Sequence, residues 1–174
     1  MRCLTVLGAF ALLMAGPVQA DPVSETLFTA KHWVVEVVGF DDGTYGCMAQ
    51  VSNDDGSESF SLWSFEDSTL RIQFYSAGWQ FDNGTADLEV QVDRRTPWTL
   101  TEAELYENSV LFDLPDNDDS VRFVVEVANG SRLYLRNDDG EDVQDYSLAG
   151  SSASIGALID CGDVIQAPDA NPFQ

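Results

Sequence analysis

Three cysteines, one histidine and thirty carboxylates are the groups of this chain best equipped for chemistry. Cys3 falls in a leader-like start. Arg2 precedes an apolar run over Leu4–Met14, Gly16-Pro17 breaks it, and Val18-Gln19-Ala20 offers a small-residue cleavage site before Asp21. That layout is expected of a secretory signal peptide, too short and wrongly flanked for a membrane anchor. Cleavage leaves Cys47 and Cys161 in an oxidising compartment, where such a pair is expected to close into a disulfide. A redox-active pair is the alternative, but catalytic dithiols sit in a close Cys-x-x-Cys motif and these two are separated by most of the chain.

Other reactive constellations are thin. The single histidine, His32, stands beside Trp33 at the start of the first apolar run. Gly150-Ser151-Ser152-Ala153-Ser154 resembles a nucleophile elbow, but Ser154 occupies the place of the final glycine, and helix capping accounts for the serines. Oxygen-rich loops at Asn53–Glu58, Asp116–Asp119 and Asn137–Asp142 make Asp54, Asp55, Asn137, Asp139 and Asp142 the calcium candidates. None follows the EF-hand order, since Leu135 would fall at the first ligand position, and Asx-rich turns explain the same residues. One histidine and two oxidised thiols leave little for zinc. Thirty acids offer glycosidase-like pairs by chance alone. Among the aromatics Trp63, Tyr75, Trp79, Phe81 and Trp98, some could line a ligand groove or a carbohydrate platform, and others pack in the core. Trp79, next to Gly78 and ahead of Asp82-Asn83-Gly84, is expected to be the exposed recognition residue, with Trp63 and Trp98 as further candidates.

The elements that must position these groups read as short strands. Trp33, Val35 and Val37 alternate with polar or outward partners, as do Cys47, Ala49 and Val51, then Phe60 and Leu62. Leu70, Ile72 and Phe74 face one way while Arg71, Gln73 and Tyr75 face the other. Leu88, Val90 and Val92 follow, then Val121, Phe123, Val125 and Val127 as the longest set, then Leu133 and Leu135. Period-two alternation marks strands buried on one face. Asp41-Asp42-Gly43, Asp54-Asp55-Gly56, Asn83-Gly84, Asn129-Gly130 and Asp139-Gly140 supply the positive φ angles of hairpin turns, Asn129-Gly130 foremost. Pro97–Phe112 suits strands better than a helix capped at Thr101. Ser151–Cys161 is the one expected helix, capped by Ser151 and ended by Gly162.

Composition narrows the partners. The 174 residues are 44% apolar, enough for a core, yet carry a formal charge of −22. Such a balance excludes the basic stripe of a nucleic-acid binder and disfavours anionic membrane surfaces. It also keeps a solvated, self-repelling protein soluble and fits salty surroundings.

Two segments resemble the invasion-associated locus B family of small exported bacterial proteins. Trp33-Val34-Val35 with Cys47-Met48-Ala49-Gln50 is similar to that family's tryptophan strand and Cys-x-x-Gln strand. Tyr146-Ser147-Leu148-Ala149-Gly150, running into Ser151–Leu158, is similar to its closing strand, glycine and small-residue helix. The family often places a second cysteine three residues after the tryptophan. Glu36 stands there in this chain, which makes Cys161 the partner that the resemblance implies for Cys47. The resemblance implies an export-associated, β-rich, non-enzymatic protein, and it carries over no active-site residue.

The expectation is therefore a leader over 1–20, a single all-β domain over 21–166, mainly an antiparallel sandwich or barrel-like fold with one C-terminal α-helix, and a loose tail over 167–174. Its expected role is an exported, non-catalytic envelope or periplasmic binding module for an unidentified protein or small ligand. It needs no cofactor and has no nucleic-acid partner and no transmembrane segment. A calcium-stabilised domain would show a melting temperature raised by millimolar calcium. An envelope hydrolase would need a cleft where His32 or two carboxylates converge.

Overall fold

Inward-facing apolar residues at every second position force the chain into one continuous curled sheet. The computed structural model describes residues 23–167 and 172–173; the leader and its cleavage site lie outside the described residues. The strands are β1 (Val23–Ala30), β2 (Trp33–Gly39), β3 (Tyr45–Ser52), β4 (Glu58–Phe65), β5 (Leu70–Ser76), β6 (Phe81–Val92), β7 (Trp98–Glu107), β8 (Ser109–Leu114), β9 (Arg132–Arg136) and β10 (Asp142–Ser147). Two helices join them, α1 (Asp118–Asn129) and α2 (Ser151–Ile165). All pairings are antiparallel, in the order β1-β2-β3-β4-β5-β8-β7-β6-β9-β10.

Cross-strand rows build the core. Trp33 pairs with Val51, Val51 with Phe60, and Phe60 with Phe74. The next row runs Val35–Ala49–Leu62–Ile72, and all eight residues are buried. The sheet curls far enough for Tyr146 of β10 to meet Phe60 and Phe74 at ring-centroid distances of 6.2 and 6.4 Å. Gln144 Nε2 donates to the Tyr75 carbonyl oxygen at 3.1 Å across the same gap. The architecture is thus a single unclosed, barrel-like sheet, with β1 and β10 as its edges.

Helix α2 covers β1–β4 from inside and meets α1. The expected bridge is present: Cys47 of β3 and Cys161 of α2 form a disulfide with their Cα atoms 6.0 Å apart, closing 114 positions of chain. In the chain-entropy view so long a loop contributes about 4–5 kcal/mol, with measured values often lower. Helix α2 does not stop at Gly162 as expected but continues to Ile165. A Cβ at Gly162 would stand 2.8 Å from Ser64 Oγ, so this glycine lets the helix lie close on β4 rather than ending it. Nor does Ser151 cap α2. Gly150 holds the cap position, and the buried Ser151 hydroxyl donates to the Val127 and Ala128 carbonyls at 2.9 and 3.2 Å, satisfying the end of α1.

The segment Val121–Val127 is a correction: it forms α1, not a strand. Asn117 is extended, and its side chain accepts from the Asp119 and Ser120 N–H groups at 2.9 and 3.2 Å. Asp118 and Asp119 add negative charge to the first turn, where the helix dipole favours it. The buried residues are Ser120, Phe123 and Val127, spaced three and four apart, while Val121 and Val125 are 62% and 52% exposed. Asn129-Gly130 accordingly ends a helix instead of turning a hairpin. A Cβ on Gly130 would come within 2.4 Å of Val92 and 2.8 Å of Leu148, so close packing, not a positive φ, requires glycine there. Asn83-Gly84 is likewise no turn but lies inside β6, beside a register shift. Strand β5 pairs with β8, so the chain crosses over before β6 and no β5–β6 hairpin exists. The other three glycine turns fall between strands as expected. In the tail, 168–171 and 174 lie outside the described residues, while Phe173 packs on Tyr45 at 5.7 Å.

Candidate functional site

Every strand that sends one row of side chains to the core sends the alternate row outward, and on β2–β5 that outer row is not simply charged. Register places Glu36, Met48, Trp63 and Arg71 side by side in one row. The next row runs Val34–Gln50–Ser61–Gln73, and the third Ser52–Ser59–Tyr75. Small serines lie between large neighbours, so the face is dished. It holds a groove of about 420 Å³ reaching from Ser24 of β1 to Tyr75 of β5.

Side-chain hydrogen bonds hold this face in place. Trp63 Nε1 donates to Ser61 Oγ at 3.1 Å and to Gln73 Oε1 at 3.0 Å. Gln73 Nε2 in turn donates to Ser109 Oγ at 2.9 Å, so the indole is tied across β4, β5 and β8. Its ring lies parallel to Phe65, centroids 5.8 Å apart, with Phe40 at 6.3 Å. Gln50 Nε2 donates to Ser52 Oγ at 3.2 Å, and Thr26 Oγ1 donates to Glu36 Oε1 at 3.0 Å. Ser59 differs from these. It is only 6% exposed, it lines the groove, and its hydroxyl makes no hydrogen bond among the described residues. The β3–β4 turn closes one end through Gly56, kept in shape by Asn53 Oδ1 accepting from Glu58 N–H at 3.1 Å and Asp55 Oδ1 accepting from Ser57 N–H at 2.9 Å.

Electrostatics around the groove are one-sided. Arg71, at its margin, is held by Asp113 with Nε–Oδ1 at 2.5 Å and Nη2–Oδ2 at 3.1 Å; that pairing raises its already high pKa further. Arg95, Arg122, Arg132 and Arg136 are each paired with a carboxylate as well, leaving Arg94 alone among the described arginines. Turn acids are stabilised in their charged form: the Thr44 and Ser57 hydroxyls pull Asp42 and Asp55 below the usual carboxylate range, and the Thr69 backbone N–H does the same for Asp67.

The three candidate tryptophans do not converge. Trp63 alone lies on the outer groove. Trp79 is half-buried in the β5–β6 connection, packed against the core with Phe81 at 5.3 Å, and its carbonyl accepts from Asn108 Nδ2. Trp98 is half-buried under α1: Nε1 donates to Glu126 Oε2 at 2.9 Å, Phe123 meets it edge-on at 5.8 Å, and Arg122 lies 4.9 Å from its ring centroid. The calcium candidates belong to two separate hairpins. Asn137 Oδ1 accepts from Glu141 N–H at 2.8 Å and Asp142 is paired with Arg136 at 2.6 Å; Asp54 and Asp139 sit exposed on their turns. Among the described residues, no cluster of three histidine, cysteine, aspartate or glutamate side chains is placed to hold a metal. His32 is exposed on the β1–β2 turn, at a shallow depression with Asp54, Arg132 and Asp145, and makes no hydrogen bond among the described residues.

No family model and no curated protein matches this chain. A solved structure does share its fold. Invasion associated protein B from Bartonella henselae superposes with a TM-score of 0.50 at 15% identity, over 81% of this chain and 99% of that one. At that identity the likeness concerns architecture and assigns no site residue. Among the described residues no helix is long and apolar enough to cross a membrane.

Glu36, Gln50, Ser59, Ser61 and Gln73 were not singled out as site residues by sequence. The available signal was the outward half of each alternation, Gln73 and Tyr75 opposite Ile72 and Phe74. What was missing was register, which sets Gln73 beside Ser61 and Tyr75 beside Ser59.

Proposed function

We propose that this protein is an exported, non-catalytic binding module of the bacterial envelope or periplasm, and that it binds through the outer face of β2–β5. The observation that carries the reading is the Trp63 groove: an aromatic ring fixed by two hydrogen bonds, beside the Ser59 hydroxyl, which lines the groove and makes no hydrogen bond among the described residues. A face built only for solubility has no need of such order, because exposed side chains gain rotamer entropy when left free. Export is supported by the Cys47–Cys161 bridge, which belongs to oxidising compartments. The non-catalytic reading draws on His32, whose exposed imidazole makes, among the described residues, no hydrogen bond of the kind that orients a general base.

The four tryptophans provide the test, since each gives its own indole N–H signal in NMR. Envelope extract, separated into protein, glycan and small-molecule fractions, is added to labelled protein. The expected result is that one fraction shifts the Trp63 signal and leaves that of the buried Trp33 in place. If no fraction moves Trp63, or if Trp33 moves equally, the outer face is not the binding face.

A further inference from the structure

The groove on β1–β5 offers a mixture of surfaces that few ligand classes can use together. Its working residues are Glu36, Gln50, Ser59, Trp63, Gln73 and Tyr75. Trp63 supplies an apolar ring. Ser59, on the groove lining, supplies a hydroxyl able to donate and accept that makes no hydrogen bond among the described residues. Gln50 uses its amide N–H on Ser52, leaving Oε1 as an acceptor, and Glu36 keeps Oε2 beyond the oxygen engaged by Thr26. A purely apolar occupant would bury these polar atoms without partners, which is costly. An anionic occupant would meet Glu36 and a chain of charge −22, with the nearest cation, Arg71, already held by Asp113. A sugar ring satisfies both needs, since it pairs a C–H face with a rim of hydroxyls.

Size points to more than one ring. From β1 to β5 the groove crosses four strand gaps, roughly 19 Å at about 4.8 Å each, and it is an open depression of about 420 Å³. We propose that this groove binds a neutral oligosaccharide, with the Trp63 ring as the sugar platform and Ser59, Gln50 and Glu36 as its hydrogen-bonding partners. This rests on the reading of the outer face as the binding face. Ser61 and Gln73 act as positioning residues, because their oxygens are spent on the Trp63 indole.

The test is titration of the purified protein with maltoheptaose, cellohexaose and chitohexaose, followed by calorimetry and by the Trp63 indole signal. An oligogalacturonate and a decalysine peptide are run beside them. At least one neutral sugar is expected to saturate at one per chain. Trp63→Ala then weakens it at least tenfold and Ser59→Val severalfold, with Ser59→Ala as the milder variant should valine disturb the fold. If no neutral sugar binds at millimolar concentration while decalysine or the galacturonate shifts Trp63, the ligand class is wrong and the binding face stands. If neither these probes nor any envelope fraction moves Trp63, both readings fall. Sugar binding that survives Trp63→Ala unchanged would place it outside the groove.

Discussion

The two faces of β2–β5 are made from the same thirty residues and do opposite things. Inward, Trp33, Phe60, Ile72 and Phe74 are fully buried and interlocked, and the Cys47–Cys161 bridge fastens α2 over that face. Outward, the alternate residues carry indole, amide, hydroxyl and a carboxylate, and among the described residues they line an open groove. Inside, order comes from burial. Outside, it comes from a chain of side-chain hydrogen bonds from Trp63 through Gln73 to Ser109. The contrast separates what makes the fold stable from what the fold can hold.

The separation breaks most visibly under truncation of the inner face. Phe60→Ala removes a ring in contact with Trp33, Phe74 and Tyr146, and is expected to cost about 3–5 kcal/mol in urea unfolding. Loss of the disulfide through Cys47→Ser with Cys161→Ser is expected to cost about 2–5 kcal/mol. Where the variant remains folded, the groove should still titrate as before, because neither sulfur lies on the outer face.

Smaller changes sharpen the same division. Ser154 of α2 is fully buried and its hydroxyl has no partner among the described residues. Ser154→Ala keeps nearly the same volume and improves helix propensity, so it is expected to raise stability by about 1 kcal/mol by thermal or urea unfolding. Tyr146 tests the inner face through pH. Burial, aided by the Glu58 and Asp145 carboxylates, pushes its hydroxyl well above the ordinary value of 10.0. With the folded value raised, this contribution to stability is complete below pH 10.0 and is lost as the pH climbs from there toward the folded value. Tyr146→Phe should lower stability at neutral pH by removing the bond to Gln144 Oε1, yet decline less steeply in alkali than the native protein.

How much of this was legible depended on which period the sequence displayed. Leu70, Ile72 and Phe74 against Arg71, Gln73 and Tyr75 gave both faces of β5 directly. The terminal helix and the single bridge were readable from serine, small residues and cysteine count. Val121–Val127 misled because four apolar residues two apart satisfy a strand pattern, while the buried pair Phe123 and Val127 also satisfies a helical one. The deciding signal, Asn117 ahead of Asp118 and Asp119, lay just upstream. Asn83-Gly84 misled because turn chemistry is local, whereas the crossover from β5 to β6 is set by which strands pair at a distance. The groove was half legible for the same reason: alternation names what faces outward, and only register assembles it.

One paired measurement bears most directly on the division of labour between the faces, namely unfolding free energy and neutral-sugar affinity in Trp63→Ala. The expected result for this half-buried ring is a stability loss smaller than the about 3–5 kcal/mol of truncating a fully buried aromatic, together with at least a tenfold loss of affinity. A variant that loses several kcal/mol while its affinity stays unchanged would make Trp63 a part of the scaffold and contradict the outer face as the site of binding.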